Sequence, residues 1–283
     1  MGKCKRNGNV LDQLELFISK SSYFCRINHF HKNRQFIMAN ISLIPIITLI
    51  VLMIVLIVLF KYMYHYFVNP NIPLAWTHAI INGRVSKQLR KLKIRYPDKI
   101  RFYNWWLQNE RLIRDKIPGA FAEVGVYKGA SAVILHALDP NRELYLFDTF
   151  TGFPASDLQG ETGEASTYTT DNFADTDAET ILSKFENRDK IHLRKGYFPD
   201  TAKGLEEKLF ALVNLDVDLY KPTKAALGFF YPRLSPGGVI FIHDYNHKWE
   251  GIVTAVNEFV QKIPENLVLA PDTDGTVIIV RNK

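Results

Sequence analysis

Cysteine is nearly missing from this chain: its 283 residues hold two, Cys4 and Cys25. Everything beyond position 25 is therefore free of thiols, which excludes disulfides and cysteine-ligated metals there and leaves the redox compartment open. Charge is missing from residues 41–60, twenty positions reading ISLIPIITLIVLMIVLIVLF. Excess charge is missing from everything after Lys61. Residues 1–61 carry eight Lys/Arg (Lys3, Lys5, Arg6, Lys20, Arg26, Lys32, Arg34, Lys61) against Asp12 and Glu15, which accounts for the whole net charge of +6. The remainder is balanced, so the basic composition is no argument for nucleic-acid binding and none is expected. A complete G-x-G-x-x-G phosphate fingerprint is also lacking, and no Asn-x-Ser/Thr sequon follows the apolar run.

At ~1.5 Å per residue, twenty uncharged apolar residues match a ~30 Å hydrocarbon core and predict one transmembrane helix. The run is too long and begins too late for the ~7–15-residue apolar region of a cleaved signal peptide. Orientation reads both ways. Arg26, Lys32 and Arg34 on the N-terminal side favour a cytoplasmic N-terminus, whereas Arg84, Lys87, Arg90, Lys91, Lys93 and Arg95, together with the lack of sequons, favour a cytoplasmic C-terminal part. Gly2 and Cys4 stand where lipids are sometimes attached, but Arg6 occupies the position at which a myristoylation signal has Ser or Thr. The expected organisation is a basic tail (1–36), a transmembrane helix (37–61), a juxtamembrane linker (62–83) containing Asn69-Pro70-Asn71-Ile72-Pro73, a basic helical cap (84–116) broken at Pro97, and one domain from 117 to 283.

After Pro118-Gly119 short apolar runs alternate with amphipathic stretches: FAEVGV, a helix to Leu138, LYLFD, a polar loop, a helix through Phe185, IHLRKG, LFALVNLD, a helix through Leu234, and GGVIFIHD. That alternation marks βαβ units and a mostly parallel sheet. Two final apolar runs joined across Asp274-Gly275 predict an antiparallel hairpin. The expected fold class is α/β: a Rossmann-like, mostly parallel sheet with a C-terminal antiparallel hairpin, preceded by the helical cap and the transmembrane helix.

In EVGVYKGAS, Gly125 and Gly129 allow close approach of backbone to a ligand and open a helix, although a purely structural turn reads the same way. Asp148 ends the second strand 23 residues after Gly125, near the ~20-residue spacing at which a carboxylate holds ribose hydroxyls. Glu123 would repel a pyrophosphate but suits a cationic, phosphate-free ligand such as S-adenosylmethionine. Asp216 and Asp218, one residue apart in a strand, are expected on one face, and His243 and Asp244 end the next strand. If those strands are neighbours, Asp216, His243 and Asp244 converge on a divalent ion, Mg²⁺ by the oxygen-rich ligation, with other ions left open by the histidine. The alternative is that these groups are helix caps and solvated strand ends. The polar stretch 152–180 reads as a substrate lid whose following helix starts with the capping box Thr176-x-x-Glu179.

EVGVYKGAS, LFDTFTGFP, KGYFPDT, LDVDLYKPT and LSPGGVIFIHDY, in that order from about Ile117 to the end, resemble the macrocin-type O-methyltransferases, a family of class I S-adenosylmethionine-dependent methyltransferases acting on sugar hydroxyls of natural products. The resemblance implies that Glu123, Gly125, Gly129 and Asp148 contact S-adenosylmethionine with Gly196 and Tyr197 near its adenine. It further implies that Asp216, His243 and Asp244 bind the metal and that Asp218 is the general base. His243 departs from the family, where aspartate is common. The implied function is transfer of a methyl group to a hydroxyl of a sugar-like small molecule by a membrane-anchored enzyme, with a homo-oligomer compatible with it. Two rivals remain at this stage: a type II membrane glycosyltransferase, for which an anchor, a stem and an Asp-x-Asp motif would also serve, and a catalytically silent membrane-tethered scaffold.

Overall fold

The computed structural model describes residues 43–64 and 72–283, so the basic tail lies outside the described residues. Two compact units divide at residue 70. The first contributes one described element, helix α1 (Leu43–Met63), 21 residues with none of its most apolar stretch buried. Its length comes to ~31 Å at 1.5 Å per residue. The expected start at residue 37 falls outside the described residues, and the helix runs two residues past the expected end at 61.

The second unit begins with three helices, α2 (Leu74–Ile81), α3 (Lys87–Arg95) and α4 (Lys99–Arg114). Helix α2 corrects the expected linker over 62–83. LAWTHAII was hidden by the prolines before it, yet Trp76 anchors it by edge-on contacts with Phe102, Tyr103 and Trp106, ring centroids 5.0–5.6 Å apart. Ser86 caps α3 by accepting from the Leu89 amide, and Asp98 caps α4 by accepting from the Arg101 amide. Pro97 separates the two helices, as expected, because the residue before a proline is driven out of helical geometry.

The α/β part then runs β1 (Ala120–Val124), α5 (Ala130–Leu138), β2 (Leu144–Asp148), α6 (Ala155–Leu158), α7 (Ala178–Leu182), β3 (Ile191–Lys195), β4 (Phe210–Leu215), α8 (Tyr220–Arg233), β5 (Leu234–Ile242), α9 (Glu250–Val260), β6 (Val268–Ala270) and β7 (Thr276–Val280). Seven strands form one sheet in the order β3-β2-β1-β4-β5-β7-β6. The first five are parallel, while β7 pairs antiparallel with both β5 and β6. This is the expected Rossmann-like sheet with its terminal hairpin.

The pleat sorts each strand's side chains onto two faces. Phe121, Leu144, Leu146, Leu212 and Phe241 join a core with the helical layer of α2 to α5. Ala122, Val124, Phe147, Val213, Leu215, Ile240 and Ile242 join another with α8 and α9. Strands buried on both faces read as continuous apolar runs, which is why they were legible. Chain order reverses between β1 and β4, and at such a switch point the carboxyl ends of strands leave a crevice for ligands.

Candidate active site

A cavity of about 300 Å³ opens at the carboxyl ends of β1, β2 and β4, lined by Gly125, Tyr127, Ser131, Asp148, Phe153, Gly196, Tyr197, Asp216 and Asp218 among others. Its floor is the turn after β1. Gly125 has φ +84°, and a β-carbon there would lie 1.8 Å from the Asp216 carbonyl oxygen, so only glycine lets β1 and β4 run this close. Asp148 holds the turn from the other side. One carboxylate oxygen accepts from the amides of Val126 (2.8 Å) and Tyr127 (2.9 Å), the other from the amide of Phe150 (2.7 Å). Two ionised oxygens offer about four acceptor positions, so one remains for a ligand hydroxyl. Gly129, with φ +71°, starts α5 but does not line the cavity.

Asp216, Asp218 and Asp244 each offer one carboxylate oxygen, all within 4.8 Å of one another. The strand pleat does not align the first pair, because β4 stops at Leu215 and the chain then turns over residues 217–219, where the Leu219 amide donates to the Val217 carbonyl. Asp218 and Asp244 both adopt left-handed backbone, φ +60° and +59°. A non-glycine residue held there costs ~1–3 kcal/mol, and such strain gathers at functional sites. Burial, then the Asp216 charge, pushes the Asp218 carboxyl up to about 7. Burial, then Asp216 and Asp218, pushes Asp244 up to about 9. Burial also raises Asp216, against the opposing pull of Arg101.

His243 does not join this cluster, which corrects the expected ligand set. The ring is buried against Trp105, its Nε2 2.6 Å from Asn214 Oδ1 and its Nδ1 3.0 Å from Thr276 Oγ1. Trp105 Nε1 donates to the same Asn214 oxygen at 3.1 Å, and since an indole nitrogen can only donate, it fixes the carboxamide orientation. The other end of Asn214 donates to Glu123 Oε1 at 2.8 Å. Glu123 is consequently a fully buried member of a polar network beneath the cavity and does not line it. Thr276 continues the network to Asp272, which pairs with Arg101 at 3.1 Å. Sequence reasoning missed Asn214, Trp105, Arg101 and Asp272. The one available signal was a lone asparagine facing inward in the apolar run FALVNL.

The loop after β2 covers the cavity mouth with aromatics. Phe153 stacks on Tyr168 at 5.4 Å, Phe173 meets both edge-on, and Tyr127 meets Phe173 at 5.0 Å. Glu161 fastens the loop by accepting from the Tyr220 amide at 2.7 Å, and Thr162 donates to Glu250 at 2.6 Å. The capping box is displaced by one residue: Asp177, not Thr176, accepts from the Thr180 amide at the start of α7.

A family model for macrocin O-methyltransferase matches residues 99–277, from the start of α4 into β7. The chain belongs to the macrocin O-methyltransferase family. Two curated relatives are the 8-demethyl-8-(2,3-dimethoxy-alpha-L-rhamnosyl)-tetracenomycin-C 4'-O-methyltransferase of Streptomyces olivaceus and the mycinamicin III 3''-O-methyltransferase of Micromonospora griseorubida. The first is 31% identical over 147 residues, covering 48% of this chain and 56% of the relative. The second is 32% identical over 149 residues, covering 48% and 59%. The chain thus spans little more than half the length of these curated relatives. The solved structure of the O-methyltransferase NovP superposes with a TM-score of 0.57 at 27% identity, covering 65% of this chain and 81% of NovP. Within the macrocin O-methyltransferase match fall the Gly125 turn, Asp148, the aromatics of the loop after β2 and all three clustered aspartates, while α1, α2 and α3 precede it.

Proposed function

We propose that this chain is an O-methyltransferase that moves a methyl group from S-adenosylmethionine to a hydroxyl of a sugar or glycosylated small molecule, assisted by a divalent cation and held to a membrane by α1. The observation that carries the reading is the meeting, in one cavity, of a glycine turn clasped by Asp148 with two of the three clustered aspartates. Family membership supplies the donor class, and the activities for which both curated relatives are named supply the acceptor class.

Asp148 would hold ribose hydroxyls with its remaining acceptor position, the Gly125 turn would pass beneath the nucleoside, and Gly196 and Tyr197 would border its base. Three carboxylates raised by burial and mutual repulsion form an all-oxygen donor set that suits a hard ion such as Mg²⁺, and the exclusion of His243 removes the case for a softer one. When bound, the donor supplies an electrophilic methyl group and the cation lowers the pKa of an acceptor hydroxyl. Each carboxylate gives one oxygen to the cluster, so Asp218 keeps a second to take the acceptor's proton. Phe153, Tyr168 and Phe173 would present ring faces to the apolar side of a sugar or aglycone and exclude water.

Thermal stabilisation of the full chain in detergent tests the donor. S-adenosylhomocysteine at 100 times its Kd should add ~2.7 kcal/mol of stability. Stabilisation by UDP or GDP with Mn²⁺, and none by S-adenosylhomocysteine, would transfer the site to glycosyl transfer. Methyl transfer into sugar-bearing acceptors should fall at least 100-fold in Asp216→Ala and Asp218→Asn, with S-adenosylhomocysteine binding kept.

A further inference from the structure

Residues 72–97, which carry α2 and α3, contain six Lys/Arg and no Asp or Glu, in a chain whose part after Lys61 is otherwise charge-balanced. Exposure is organised along both helices. On α2 the uncovered positions Leu74, Thr77, His78 and Ile81 follow the i, i+3, i+4, i+7 spacing of one face, opposite the buried Trp76 and Ala79. On α3 the uncovered positions Lys87, Lys91, Ile94 and Arg95 follow the same kind of spacing, opposite the buried Leu89. Leu74, Ile81 and Ile94 are 71–74% exposed, among the highest values for large apolar residues in this unit. Lys87, Lys91 and Arg95 make no ion pair with any described residue, whereas Arg84 is paired with Glu110.

We infer that the exposed faces of α2 and α3 form a docking surface for the headgroup layer of an anionic bilayer, in addition to the anchorage proposed for α1. The inference rests on that anchorage for its high local concentration of lipid. Only the stretch from Met63 to Leu74 separates α1 from α2. Leu74 and Ile81 exposed on α2, and Ile94 exposed beside Lys87, Lys91 and Arg95 on α3, together give the composition of an interfacial surface: the apolar tips enter the acyl boundary while the cations of α3 meet lipid phosphates. An acidic protein groove would need a contiguous apolar stripe, and here the apolar positions are separated along two short helices. Nucleic acid would be bound through the charges alone and would leave Leu74, Ile81 and Ile94 without a role.

Adsorption strengthens about five-fold for each Lys or Arg near an anionic surface, so removing three such charges amounts to roughly 100-fold, and replacing them by Glu to more than that. The test uses the full chain with Cys4→Ser and Cys25→Ser and a single environment-sensitive fluorophore on Ile94→Cys, with Ile81→Cys as a second reporter. It is reconstituted with vesicles of phosphatidylcholine alone or mixed with phosphatidylserine. The expected result is a blue shift and protection from aqueous iodide with phosphatidylserine only, reversed by high salt and lost in the Lys87→Glu/Lys91→Glu/Arg95→Glu variant. Equal emission in both lipids, or an equal shift on adding RNA or an acidic polypeptide without a bilayer, overturns the inference. Alkaline carbonate extraction of the same preparations reads α1 separately. An extractable chain that still shifts with phosphatidylserine removes the spanning helix but keeps the surface, and a resistant chain without the shift does the reverse.

Discussion

Glu123 stands in the middle of the sheet with no exposure, and burial first of all holds its carboxyl up at about 8 against an ordinary value of 4.5. The unfolded side chain therefore releases its proton near 4.5 while the folded one keeps it to about 8. Between those values the unfolded state binds fewer protons, so the stability contributed by the neutral, buried acid is full below 4.5 and is lost as pH rises through 8. Glu123→Gln keeps the shape and the oxygen that accepts from Asn214 but removes the titration. Denaturant melts at pH 5 and pH 8.5 should show a smaller loss for Glu123→Gln than for the native chain, the remainder belonging to the raised Asp216, Asp218 and Asp244; equal losses would place the proton elsewhere. The role of this residue was legible only in part. Its acidity and its place beside the glycine turn suggested a ligand contact, whereas the pleat turns it away from the cavity toward Asn214. His243 and Asp244 lie just past the end of β5, where Asp244 takes left-handed backbone, so their divergence was not a strand pattern to be read.

At the scale of elements, α4 is tied to the loop between β6 and β7 more firmly than sequence suggests. Asp98 caps α4 with one oxygen and accepts from the Thr273 amide with the other, at 3.0 Å. Arg101, one turn further, reaches Asp272 and Asp274 at 3.1 and 3.3 Å, and the Asp272 side chain is wholly buried. Removing one partner of a buried pair leaves an uncompensated charge and costs ~3–5 kcal/mol. Arg101→Met should therefore destabilise the unit by about that amount and speed amide exchange at residues 272–276, while the conservative pair replacement Arg101→Met with Asp272→Asn should recover much of the loss. A single-variant change below ~1 kcal/mol would mean that the pair is solvated. This fastening joins residues 171 positions apart, and no local pattern announces it. What the pattern did announce were elements whose burial is decided by their own residues: the apolar strands, the Pro97 break, and the hairpin around Asp274-Gly275. Where the signal was local but degenerate, the boundary moved, as at Asp177, where two neighbouring residues could each cap α7.

For the molecule as a whole, the two cores on either face of the sheet are built, among the described residues, from position 72 onward, and burying apolar surface is worth ~25 cal/mol per Å². Helix α1 has the opposite character: each large apolar side chain from Leu43 to Met63 is about half exposed or more, over 21 residues, and the anchorage proposed for it makes a direct prediction. Expressed in full, the chain should stay in the membrane pellet through an alkaline carbonate wash. Deletion of residues 1–71 should release a folded unit into the supernatant with S-adenosylhomocysteine binding intact, because the Gly125 turn, Asp148 and the three aspartates are all retained. A full chain that leaves the membrane under carbonate would show that α1 does not span it, and would leave the chemistry of the cavity untouched. A truncated chain that aggregates would instead show that the exposed apolar side chains of this unit, Leu74, Ile81 and Ile94 together with Val268 and Leu269, need a partner even when the anchor is gone.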